Sequence, residues 1–141
     1  MLNRRHFLKS STVALGTTVV PISLKGRRQN TCTLGFSTYG MKELKTPQAL
    51  AVLEEIGYDS VELTIKNGWH ADPAKLDKKK RIELQKRLAD SPLRLTSFME
   101  HVAPTDAKKQ TYALNRLKLA TEMAHDLAPK CPPLIQSTLG N

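Results

Sequence analysis

Glu62 and His101 are the residues of this 141-residue sequence best placed to do chemistry. Glu62 stands in Ser60-Val61-Glu62-Leu63-Thr64-Ile65, a strand-like run. Alternation sets Val61, Leu63 and Ile65 on one face and Glu62 and Thr64 on the other. A carboxylate held away from bulk water is costly unless something pairs with it. Glu62 therefore calls for a base, a metal or a hydrogen-bonded ligand, and a structural Lys or Arg would meet the same need. His101 follows a third apolar run, Leu93-Arg94-Leu95-Thr96-Ser97-Phe98, with Glu100 beside it. A neutral imidazole is a common ligand for zinc and manganese, which makes His101 a weak metal candidate. It serves equally as a polar contact to a ligand hydroxyl or as an exposed loop histidine. Trp69 and His70, on the loop after the Glu62 run, add a ring that can stack on a ligand or cap the rim of the fold. His125 falls within a helical pattern and reads as a surface residue.

Other constellations are missing. The sequence has no Gly-x-Gly-x-x-Gly, no phosphate-cradling P-loop, no Gly-x-Ser-x-Gly and no His-Glu-x-x-His. Dinucleotide enzymes, serine hydrolases and zincins thus lack support. Cys32 and Cys131 form no metal-type pair and are too few for a disulfide scaffold. The net charge of +9 suggests nucleic acid until its placement is considered. Residues 1–28 hold six of the 22 bases and no acid, which leaves 16 bases against 13 acids in the remainder, a net of +3. Lys78-Lys79-Lys80-Arg81 is followed by Ile82, Leu84 and Leu88, the pattern of a solvated helix with one buried side. No nucleic-acid partner is expected.

The elements that must position these side chains alternate. Strands are expected at 32–37, 60–65, 93–98 and 134–138. Between them come a helix opened by Thr46 as N-cap and Pro47, and closed by Gly57; a charged helix over 77–89; and a long helix capped by Thr105 or Asp106. Ala113, Leu117, Ala120, Ala124 and Leu127 form the long helix's apolar stripe. This β-α-β-α-β-α-β order argues an α/β protein with a parallel sheet. Doubly wound sheets are covered on both faces and read apolar throughout. One apolar and one small or polar face, as in Leu34 and Phe36 against Thr33, Gly35 and Ser37, fits a barrel better.

The N-terminus reads Asn3-Arg4-Arg5-His6-Phe7-Leu8-Lys9. It resembles the twin-arginine export signal in Arg4, Arg5, Phe7, Leu8 and Lys9, with Asn3 where Ser or Thr is usual. The weakly apolar stretch from Val13 to Ile22 is too short for an ordinary spanning helix. Residues 1–28 are therefore expected to be a leader and residues 29–141 the body. The resemblance implies the twin-arginine translocase as partner and a periplasmic or exported protein, cleaved or anchored by its signal.

Gly57-Tyr58-Asp59-Ser60-Val61-Glu62-Leu63 resembles the Gly-(Phe/Tyr)-Asp-x-(Val/Ile)-Glu-Leu segment of the sugar phosphate isomerase/epimerase family, the xylose-isomerase-like TIM barrels. The likeness spans roughly residues 32–141. It implies a partial (β/α)8 barrel, about three βα units plus a fourth strand, because a whole barrel has eight units in about 250 residues. The alternative is a small open α/β domain. The family's divalent metal (Mn, Zn or Mg) is held by Glu, Asp and His on later strands, so no catalytic residue and no certain metal ligand is expected here. The resemblance implies a sugar or polyol substrate, with Glu62, His101, Trp69 and His70 as binding candidates. It implies metal-assisted proton transfer for the whole barrel, and an inactive fragment with self-association through unpaired sheet edges. Alternatives are a non-catalytic sugar-binding or inert barrel fragment and, less favoured, a metal hydrolase like the apurinic endonucleases.

Overall fold

A computed structural model describes residues 32–103 and 105–137. The signal residues Arg4, Arg5, Phe7, Leu8 and Lys9 lie outside the described residues. Among the described residues four strands form one parallel sheet in the order β1-β2-β3-β4: β1 (Gly35–Ser37), β2 (Ser60–Thr64), β3 (Arg94–Glu100) and β4 (Leu134–Ser137). Three helices connect them: α1 (Thr46–Ile56), α2 (Lys78–Ala89) and α3 (Gln110–Leu127), with a 3-10 turn at Thr38–Met41 after β1. No described helix is long and apolar enough to cross a membrane.

The strand order follows the sequence order. In a doubly wound sheet the order reverses at a switch point. Here each strand pairs with its sequence neighbour and no reversal occurs among the described strands. Parallel crossovers are right-handed in nearly all proteins, so successive steps in one direction carry their helices to one face. The core agrees. Leu50 and Leu53 of α1, Leu84 and Leu88 of α2, and Ala120, Met123, Ala124 and Leu127 of α3 pack in one cluster with Val61, Leu63, Ile65 and Phe98. The fold class is thus α/β with a parallel sheet.

Several boundaries differ from the sequence expectation, each for a local reason. β1 is shorter, because the Asp59 carboxylate accepts from the Leu34 N–H at 3.0 Å and the ladder begins only opposite Ser60. Thr46 is the first residue of α1 and not its cap; its backbone N–H and hydroxyl both lie against His70 Nδ1, at 3.1 and 2.9 Å. Gln48 Oε1 instead accepts from the Lys45 N–H at 3.1 Å. Gly57 ends α1 as expected, at φ 92°, a left-handed conformation in which a Cβ is strained. The α3 cap was expected at Thr105 or Asp106, yet the helix starts at Gln110. Asp106 closes a preceding turn instead, its Oδ1 accepting from the Lys108 N–H at 2.9 Å.

Candidate functional site

Ligands in parallel α/β sheets bind beyond the C-terminal ends of the strands, where the connecting loops can vary without disturbing the core. Glu62 lies on β2 between Ser37 of β1 and Ser97 of β3. Ser97 Oγ donates to Glu62 Oε2 at 2.9 Å, and among the described residues no salt bridge reaches the carboxylate. The flanking Val61 and Leu63 are fully buried on the opposite face. Gly35, Phe36, Ser37, Glu62 and Thr96 line a shallow cleft of about 230 Å³.

A β-bulge makes this pairing. The register of β2 with β3 slips between Val61, which faces Leu95, and Glu62, which faces Ser97. Thr96 is the extra residue, and its hydroxyl donates to the Val61 carbonyl at 3.2 Å. The slip swaps the parity of β3. Leu93 and Leu95 pack with the core before it, Phe98 and Glu100 after it, and Ser97 turns toward Glu62.

Past the end of β2 the loop carries Trp69 and His70. The Trp69 ring stacks on Tyr39 at a centroid distance of 5.4 Å and 20° between planes, and Lys66 Nζ lies 5.3 Å from the centre of the Tyr39 ring. Tyr39 is exposed. The aromatic pair therefore bridges the loops that follow β1 and β2.

This loop is fixed by an ionic cluster that the sequence analysis did not identify. Arg116 of α3, Asp72 of the loop and Glu100 of β3 are all buried, at 5, 1 and 1 % exposure. Arg116 donates through Nη1 to Asp72 Oδ1 at 2.6 Å, through Nε to Glu100 Oε2 at 2.9 Å, and through Nη2 to the Ile65 carbonyl at 2.6 Å. Asp72 also accepts from the Gly68 and Ala74 amides at 3.2 and 3.1 Å. Burial pushes the Asp72 carboxyl up, but the bonds from Arg116, Ala74 and Gly68 outweigh it and hold the carboxyl below the usual range. For Arg116 burial opposes the charge, and the two carboxylates more than restore it. The signal was available: Arg116 sits three residues after Ala113 and four before Ala120, in the middle of the buried stripe.

His70 lines a larger cleft of about 460 Å³ between the loops after β1 and β2. Its Nδ1 accepts from the Thr46 N–H, so the proton of the neutral ring sits on Nε2. Partial burial first, then the positive charges of Lys45 and Lys80, holds its pKa below the ordinary 6.5.

His101 is exposed just past β3, and its N–H donates to Glu100 Oε1 at 2.9 Å. Glu62 and His101 are not brought together. Glu62 faces Ser97, four residues before His101, which is about 13 Å of strand. Glu100, its neighbour, is committed to Arg116 on the helix side. Trp69 and His70 do share one loop and one cleft. His125 is exposed on α3. Among the described residues no three His, Cys, Asp or Glu side chains converge as a metal site. Glu62 with Ser97 offers one carboxylate and a hydroxyl, a donor set that does not fit a divalent metal. No protein-family model matches the chain, and no curated protein matches it.

Proposed function

We propose that the chain is part of a xylose-isomerase-like barrel, exported through a twin-arginine signal, whose described residues bind a sugar or polyol. The observation that carries this reading is the Glu62–Ser97 pair. It sits opposite the helix-packed face of a sheet whose strands run in sequence order, which supports reading this polar face as the inner side of a barrel wall. An ionised carboxylate beside a hydroxyl accepts hydrogen bonds from vicinal sugar hydroxyls. The Tyr39–Trp69 stack at the C-terminal rim offers an apolar ring face to a pyranose or furanose.

The proposed role of this part is binding and orientation. The proton transfer and divalent metal implied by the resemblance need carboxylates beyond the Glu62–Ser97 pair, so no reaction step is assigned to the described residues. Trp69 is the only tryptophan in the chain, which makes binding directly observable. Titration of the full chain with ketoses and polyols is expected to change Trp69 fluorescence saturably. Glu62→Gln is expected to weaken binding by about tenfold, the effect of losing one charge-assisted hydrogen bond. Identical affinity in Glu62→Gln would remove the Glu62 face from the site.

A further inference from the structure

The cleft at His70 is lined by four lysines, Lys42, Lys45, Lys75 and Lys80, against one acid, Glu43. We infer that this cleft binds an oxyanion, a phosphate or sulfate group taken free or as a monoester, through Lys42, Lys45, Lys75 and the Nε2–H of His70. The inference concerns the channel between two loops, which borders the proposed sugar site at Trp69 but shares neither Glu62 nor Ser97 with it.

Three observations carry it. The charge is concentrated and little of it is neutralised. Lys80 shares its charge with Asp77 at 3.7 Å, while among the described residues no ion pair engages Lys42, Lys45 or Lys75. The donors are of the right kind: each ammonium offers three N–H groups and no acceptor, and the imidazole proton is fixed on Nε2 because the Thr46 N–H occupies Nδ1. The space is also suitable, since about 460 Å³ admits a phosphate ester of sugar size. The lysine field already reaches the imidazole, where Lys45 and Lys80 disfavour a further positive charge; the same field favours an anion. The walls hold their position: the Asp72–Arg116 pair anchors one loop, and the Thr46–His70 contacts tie it to the start of α1.

The alternative is a set of solvated lysines that only screen passing anions. Calorimetry and Trp69 fluorescence on the full chain decide between them, with sodium phosphate, glycerol 3-phosphate and glycerol titrated against sodium chloride at matched ionic strength. Saturable phosphate binding is expected, with no response to glycerol. Tighter binding of glycerol 3-phosphate would assign the ester, and equal binding the free oxyanion. The exposed double variant Lys42→Gln/Lys75→Gln is expected to lose about threefold for each lysine, about tenfold together, without a change in its melting curve. Lys45→Gln gives an independent third arm. Heats and fluorescence that merely follow sodium chloride, or full affinity in the folded lysine variants, would overturn the inference whatever the fate of the sugar reading.

Discussion

Replacing Arg116 with Leu should be among the most damaging single substitutions in the chain, and its pH dependence should reveal why. The guanidinium holds two carboxylates and the Ile65 carbonyl inside the fold. Leu preserves the apolar stem but leaves Asp72 and Glu100, each 1 % exposed, without their cation. Removing one member of a buried ionic group costs about 3–5 kcal/mol. At roughly 4 °C per kcal/mol for a domain of this size, the melting temperature should fall by about 12–20 °C. The pH profile carries the sharper test. In the parent chain the Asp72 carboxyl is held below its ordinary value of 3.8. Its contribution is therefore present above that pH and fades as the pH falls toward the folded-state value. In Arg116→Leu the abandoned carboxyl prefers its protonated form, so the variant's deficit should shrink as the pH is lowered from 7 to 5. The triple variant Asp72→Asn/Glu100→Gln/Arg116→Leu should recover part of the loss, because no buried charge remains. Paired thermal melts at several pH values read all three. A deficit below about 1 kcal/mol, or one that does not change with pH, would refute the claim that this cluster is buried and ionic.

Further outcomes follow from other sites. Gly57→Ala places a Cβ at φ 92° and should cost about 1 kcal/mol by denaturant melt with the fold retained. His70 titrates below 6.5, so its neutral form supports the fold above that pH and this support is lost as the pH falls through the folded value. A ring-proton NMR titration should give that depressed pKa, and Thr46→Val, which removes one of its two contacts, should move it. Residues 1–35 fused to a reporter that works only after twin-arginine transport should export it, and Arg4→Lys with Arg5→Lys should abolish export.

Much of the fold was legible because local signals agreed with one another. The Val61-Leu63-Ile65 face, the Gly57 stop and the strand–helix alternation are all present in the structure. The site was less legible, for two physical reasons. A bulge changes which side chains share a face, and no local propensity at Thr96 announces it. The only trace is that the apolar positions step from Leu93 and Leu95 to Phe98, a break in the period of two. Without that slip Glu100 would be assigned to the polar face, whereas it pairs with Arg116 in the helix layer. Long-range polar pairing is the second reason. Asp72, Glu100 and Arg116 lie far apart in sequence, and the position of Arg116 in the buried stripe does not say which carboxylates meet it. The same holds for the lysine cleft, whose members come from two loops and a helix that meet only in the fold.

The central proposal is that a sugar or polyol is taken at the C-terminal ends of β1 and β2, on the side that carries Glu62. Two-dimensional amide NMR of the full chain, with and without a saturating ketose or polyol, tests it. Shifts confined to residues 37–39, Glu62, residues 66–70 and Ser97 are expected. Shifts that map instead to the outer surfaces of α2 and α3, or no shift with any sugar or polyol at saturating concentration, would contradict it.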